Sequence, residues 1–462
     1  MSTPLRYTPR PYAGRPLGAA RPFASQAQTG SVRGPGAPTS RVSLRALREK
    51  IRWTLVFSAF FAFAGGVIAS RLTIGQPMMV LGLIGVLMQT DPMRVGTVPS
   101  LLLLWTAWSA LGAFASPYHE ATIDALLQLG KLCVITFVGV NALRTRGQIR
   151  AYCIFLLFAF LIYPGRGSLL NWITGAYVIA GSRAVWNGVY ANPNDLAGIC
   201  LLLLSVALAV FAGEVDKRYK LAALGTAGFI AFIIFITQSR GALIALGVFV
   251  IVALRRMPKR QRIRAAFVAA ALGGVVVLFA PSSVWDRLSG LTNLTSTDNL
   301  SQVDTEGSAT QRFEIWKVAR TIIAEHPITG VGIGAYPQEH VQVAVRPEFN
   351  PTARGLRDTH SMYFNVMAET GVPGFLIFVS LLVATVRYVE RTRRRVARFL
   401  PSQALQIQFL ELGLLAFCVA AIWGSYAKLN VLYLHLVLMW VAAKLAEREL
   451  VEATRPQALR VQ

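Results

Sequence analysis

Four cysteines and five histidines in 462 residues leave little material for a disulfide framework or a metal centre. No Cys/His pair has zinc-site spacing, and the histidines, His119, His326, His340, His360 and His435, are scattered. Acid is scarce: 22 Asp and Glu stand against 46 Lys and Arg. No Asp-x-Asp pair occurs, which removes a common holder for a catalytic divalent ion. A removable leader is also missing. The first apolar run begins near Trp53, after Arg48, Lys50 and Arg52, as expected of a retained anchor. Charged residues make up only 15% of the chain.

Apolar residues are plentiful, at 54% of the composition and a mean hydropathy of +0.50. Runs near the length that crosses roughly 30 Å of hydrocarbon lie at 53–70, 72–90, 99–115, 122–142, 151–164, 193–212, 219–237, 241–254, 265–281, 371–388, 404–424 and 428–446. The runs at 151–164 and 241–254 are short, so either their flanks contribute or one is a buried or re-entrant piece. Cys133, Cys153, Cys200 and Cys418 all fall inside these runs, where thiols act as small apolar groups. The chain therefore reads as an all-α integral membrane protein of about 12 transmembrane helices.

Basic residues gather in alternate loops: Arg144, Arg146 and Arg150; Lys217, Arg218 and Lys220; Arg255 to Arg264; Arg387 to Arg398. Positive charge is retained on the cytoplasmic side, so both termini are expected inside. The net charge of +24 is thus a topology signal and a contact with anionic headgroups; no nucleic-acid partner is implied, because the charge is spread over short loops. The division expected is a disordered basic tail over 1–50, spans 1–9 over 51–281, an outer loop over 282–370, spans 10–12 over 371–446, and a cytoplasmic tail over 447–462.

The large outer loop lies between spans 9 and 10. Its start is rich in Ser, Thr, Asn and Asp, with sequons at Asn293 and Asn299 that matter only in a eukaryotic secretory context. From Ala309 to His326 the apolar spacing of Phe313, Trp316 and Ile323, with Ile315, Ala319 and Ile322 beside them, predicts a helix ended by Pro327. Arg312, Lys317 and Arg320 on its remaining surface fit a helix lying on headgroups; an ordinary packed helix of a small outer domain fits equally. Gly330-Val331-Gly332-Ile333-Gly334 reads as a tight turn that needs glycine freedom, since a nucleotide loop would follow a strand.

His360, in Asp358-Thr359-His360-Ser361, is the one imidazole among polar groups at a span boundary, and so the candidate proton carrier. A continuous helix from Thr359 to Tyr388 would be about 45 Å long at 1.5 Å per residue, too long for the bilayer. Gly371-Val372-Pro373-Gly374 supplies the break, with Glu369 at the junction. Arg240, in Thr237-Gln238-Ser239-Arg240-Gly241 at an outer turn, suits either a phosphate or interfacial snorkelling. Arg312 and Arg183 could add to a phosphate site, while Asn194 and Asp195 either join it or cap their helix. Lys131, deep in the fourth run, calls for a partner or a wet cavity.

Gln238-Ser239-Arg240-Gly241 heading a span, Arg312 with Trp316, the Gly330–Gly334 turn, and His360 followed by Glu369-Thr370-Gly371 together resemble the O-antigen ligase and polysaccharide polymerase superfamily over roughly residues 190 to 390. That resemblance implies a bacterial inner-membrane glycosyltransferase, working without a metal or other cofactor. It would move a glycan from an undecaprenyl diphosphate carrier to an acceptor glycan or glycolipid on the periplasmic side. By resemblance Arg240 and Arg312 would hold the diphosphate and His360 would orient or deprotonate the acceptor hydroxyl. Arg183, Asn194, Asp195, Trp316, Tyr363 and Glu369 complete the expected substrate-contacting set. Many ligases carry asparagine after the histidine; Ser361 here also resembles exopolysaccharide polymerases, so ligation and polymerisation both stay open. A transporter of lipid-linked glycans is the rival class, but no paired inverted repeats are visible in the two halves.

Overall fold

The computed structural model describes residues 51–69, 74–179, 182–257 and 308–454, with a few isolated positions between 259 and 274. The N-terminal tail, the two sequons and nearly all of the 265–281 run lie outside these residues. The remaining eleven apolar runs all fall on helices. Among the described residues, eight helices are long and apolar enough to cross a membrane. The helices are α1 (Leu55–Ala69), α2 (Gly75–Met88), α3 (Thr97–Ala115), α4 (His119–Ala142), α5 (Arg146–Phe160), α6 (Arg166–Thr174), α7 (Pro193–Gly213), α8 (Lys217–Ile236), α9 (Arg240–Arg256), α10 (Ser308–Glu325), α11 (Tyr336–Ala344), α12 (Met362–Val396), α13 (Pro401–Ala420) and α14 (Asn430–Thr454). The sheet content among the described residues is one two-residue hairpin, β1 (Val178–Ile179) and β2 (Arg183–Ala184).

Local chemistry accounts for several helix ends. Thr145 and Gln148 form a reciprocal capping box at the start of α5. Asn192 and Asp216 accept from Asn194 N and Arg218 N at the starts of α7 and α8. The 151–164 run looked short because the helix does not stop at Pro164. It passes through a π-turn at Leu161–Gly165 into α6, making one 29-residue span over Arg146–Thr174. The run at 241–254 is the 17-residue α9.

α7 and α14 are apolar on every side and form the centre, each 78% buried across its span. α7 packs most extensively on α13 and α8, and α14 on α12, α4 and α13. Lys131 lies on the outer surface of α4, exposed rather than facing an interior cavity.

Successive spans run antiparallel, which gives the bundle two chemically distinct ends. One gathers ion pairs: Arg52–Asp91 at 2.7 Å, Arg256–Glu411 at 2.9 Å, Arg146–Glu449, Arg150–Glu214, and Arg393–Glu390 at 2.6 Å. The other collects the start of α7, the α8–α9 turn, the start of α12 and the α13–α14 turn, with α10 and α11 packed there.

α10 settles the choice between a surface helix and a packed one. Ile315, Val318, Ala319 and Ile322 are buried in a small second core with Tyr336, Val343 and Ala368, while Phe313 stays exposed under the Lys317 ammonium. The glycine turn that follows is a cap for α12. Gly371 breaks α12 with φ 69° and ψ −177°, leaving the carbonyls of the preceding turn without helical partners. Val331 N and Gly332 N donate to Ala368 O and Glu369 O at 3.0 and 3.1 Å, and Trp108 Nε1 donates to Thr370 O at 2.9 Å. A β-carbon at Gly371 would stand 2.1 Å from Ile328 O, so glycine is required there.

Candidate active site

His360 is held by what its neighbours do. Thr359 and Ser361 are buried. Thr359 Oγ1 donates to Ser361 O and accepts from Ser361 N, and it pairs with Ser425 Oγ at 3.1 Å from the α13–α14 turn. Trp316 Nε1 donates to Thr359 O at 2.9 Å, and its ring packs on Phe364 with centroids 5.5 Å apart. With both flanks locked, His360 takes φ 48°, a left-handed conformation that non-glycine residues seldom adopt. Such strain persists only where surrounding contacts over-determine it, and here they do.

His340 and His435 spend their rings on structure. His340 accepts from the Tyr336 hydroxyl at Nδ1 and donates from Nε2 to Ala353 O, and His435 Nε2 donates to Leu410 O. The His360 ring makes no hydrogen bond among the described residues. Burial pushes its basicity below the ordinary value of 6.5; Asp358 opposes that, and the Arg312 and Arg357 guanidinium groups add to it. The result is an imidazole that stays neutral near pH 7 and can accept a proton.

Arg312 sits one turn before Trp316 on α10, hence on the face turned towards the His360 loop. It reaches a second group as well. Tyr426, in the α13–α14 turn, is held neutral first by burial and then by Asp195, against the pull of Arg312 and Arg183. Tyr426 donates to Asn194 O at 2.7 Å. Arg312, His360, Asp358, Asp195 and Arg183 therefore share one electrostatic neighbourhood.

Arg183, on β2, is buried and donates from Nε to Thr237 O and from Nη2 to Asn194 Oδ1, both at 2.9 Å. Both acceptors are neutral, so Arg183 keeps its positive charge uncompensated by these bonds. Next to it Gln238 adopts φ 52° and donates to Ser182 Oγ at 3.0 Å. This clamp orients the α8–α9 turn and places Arg240 as the first residue of α9, beside Gly241, whose Cα packs against Trp423. Asn194 does not cap α7, since Asn192 does. Asp195 lies in the first turn of α7.

Two expected substrate contacts turn out to have protein partners. The Tyr363 hydroxyl donates to Cys418 O at 2.8 Å. Glu369 is buried, accepts from Asn365 Nδ2 at 3.1 Å and forms an ion pair with Lys428 at 3.1 Å. Lys428, Ser425 and Tyr426 carried no motif that could single them out; only the fold brings their turn to the His360 loop. Outside this neighbourhood, Glu325, His326 and Glu339 place potential metal-ligand atoms within 4.8 Å of one another, a grouping invisible in spacing because α11 supplies Glu339. Arg346 holds Glu325 there, and Tyr118 donates to Glu339.

No curated protein matches the chain. Residues 224–379, the stretch that contains Arg240, Arg312 and His360, match the family model described as O-antigen ligase, which bears out the resemblance.

Proposed function

We propose that the protein transfers a glycan from an undecaprenyl diphosphate donor to the hydroxyl of an acceptor glycan or glycolipid, at the end of the bundle opposite the ion pairs. Positive-inside counting makes that end periplasmic. The observation that carries the reading is the approach of Arg312 to a strained, neutral His360 within the O-antigen ligase segment.

The chemistry follows from these charges. The acceptor oxygen attacks the anomeric carbon, the bond from that carbon to the diphosphate oxygen breaks, and undecaprenyl diphosphate leaves with the electron pair. His360 takes the hydroxyl proton as the new glycosidic bond forms. Arg240 and Arg312 bind the diphosphate and offset the negative charge that grows on it, an effect enlarged where water is excluded. A single displacement inverts the anomeric configuration. Asp358 opposes the loss of His360 basicity, and the Arg183 guanidinium, oriented by Thr237 O and Asn194 Oδ1, adds to the positive potential. Trp316 positions the loop through Thr359 O.

Reconstituted liposomes carrying lipid-linked donor on the site-bearing face, plus acceptor, test the proposal. A new glycosidic bond, lost in His360→Ala and Arg240→Ala proteins that insert normally, is the expected result. Unchanged donor relocated across the bilayer, or parental transfer by both variants, would overturn it.

A further inference from the structure

Arg94 lies at the ion-pair end, in the loop between α2 and α3, far along the chain from the His360 neighbourhood. It is 8% exposed, and its Nε and Nη2 have no hydrogen-bond partner. A buried guanidinium with two unmet donors is costly, so native proteins rarely keep one without an ion or water to meet it.

The surroundings are built rather than accidental. Asn141, buried on α4, accepts from Arg94 N at 2.8 Å and donates to Arg94 O at 3.0 Å, fixing the loop. Arg94 Nη1 donates to Leu143 O at 3.3 Å. Arg144 is braced on the same asparagine: Nη2 donates to Asn141 Oδ1 at 2.8 Å and to Pro92 O at 2.9 Å, and Nε donates to Asn141 O at 2.9 Å. Arg448, exposed near the end of α14, adds a third cation within electrostatic reach of both. The acids nearby do not cancel these charges. Asp91 gives its short contact to Arg52 at 2.7 Å and stands 3.9 Å from Arg144, and Glu447 accepts from Tyr388 and Thr392. Burial, then Arg448 and Arg144, lower the Arg94 basicity to about 10, with Asp91 and Tyr388 opposing, so it remains a cation at neutral pH.

The loop itself says where an anion would come from. Met88, Met93 and Val95 are 72%, 57% and 74% exposed, so the residues flanking Arg94 turn apolar side chains outward while Arg94 turns in. At a helix end of a membrane bundle that arrangement places acyl chains outside and a charged fork just beneath the headgroup level.

We propose that Arg94, Arg144 and Arg448 form a binding site for a phosphate group, supplied by an anionic phospholipid headgroup at the ion-pair end of the bundle. The phosphodiester oxygens accept from the two empty Arg94 donors, a bidentate geometry that lysine cannot reproduce. Arg448 closes over the headgroup from the exposed side.

Native mass spectrometry of the detergent-purified full chain tests this with three probes: phosphatidylglycerol, diacylglycerol with the same acyl chains, and inorganic phosphate. One phosphatidylglycerol should be retained in preference to diacylglycerol. Arg94→Gln and Arg94→Lys should weaken it roughly tenfold or more, as expected for lost charge-assisted hydrogen bonds. Arg448→Gln, on an exposed helix end that tolerates change, should weaken it several-fold and gives the reading even where Arg94 variants fold poorly. Arg146→Gln, an ion-pair residue at the same end, should leave binding unchanged. Equal occupancy by inorganic phosphate would keep the phosphate site but assign it to the free ion. Equal retention of diacylglycerol, or unchanged phosphatidylglycerol binding by both the Arg94→Lys and Arg448→Gln proteins, would overturn the proposal.

Discussion

The two ends of the bundle use cations in opposite ways. At one end, Arg146, Arg150, Arg256 and Arg393 each meet a carboxylate, so the charge is spent within the protein and ties helix ends together. At the other, Arg183 donates to a backbone carbonyl and an amide oxygen, two bonds that fix its geometry. Near the His360 loop, the Lys428–Glu369 ion pair supports the break in α12. Arg94 shows the second pattern at the first end, which is why it stands out there.

That contrast can be broken by substitution. The largest effect should come from His360→Ala, expected to slow glycan transfer by about 10²–10⁴-fold with normal insertion, as read by initial rates on lipid-linked donor. Arg312→Ala should follow, at about 10²–10³-fold, the range for removing one donor to a developing oxyanion. Lys428→Met would leave the Glu369 carboxylate buried and unpaired, at a cost of about 3–5 kcal/mol. Thermal unfolding in detergent should show this, and the Lys428→Met/Glu369→Gln pair should recover much of the loss.

A smaller, signed effect concerns pH. Transfer needs neutral His360, so activity should fall as pH drops through its lowered pKa, an acid limb below 6.5. Arg357→Gln removes a cation that disfavours protonation and should move the limb to higher pH; Asp358→Asn should move it lower. Rate–pH profiles of the three proteins check the order. Least of all, Arg146→Gln breaks an exposed pair worth about 0–1 kcal/mol and should leave turnover unchanged.

Much of the architecture was legible because it depends on periodic or local signals. The apolar runs within the described residues are helices, and the Gly371 break and the Gly330–Gly334 turn were visible as glycine punctuation. The Arg146–Thr174 span was under-read because Pro164 usually ends a helix, and a π-turn absorbed it instead. α10 was ambiguous in sequence because the same spacing serves a membrane surface or a small core; Val318 and Ala319 packing with Tyr336 decided it. Of the candidate site, His360, Arg312 and Arg240 stood out in sequence because they lie in short motifs. The site was not legible at Ser425, Tyr426 and Lys428, because contacts across 59 to 232 residues leave no periodic trace. Glu369 and Tyr363 belong to the substrate-contacting set that the resemblance implies; what no motif showed is that Lys428 pairs with Glu369 and that Tyr363 donates to Cys418 O.

The central claim is that Arg240 and Arg312, in the segment that also carries His360, hold the donor diphosphate, rather than the arginines paired at the far end. Electron cryomicroscopy of the full chain bound to undecaprenyl diphosphate tests it most directly. The account predicts phosphate density within hydrogen-bond distance of the Arg240 and Arg312 guanidinium groups, with the His360 ring facing it. Diphosphate density found only among Arg146, Arg150 and their neighbours at the opposite end would contradict it.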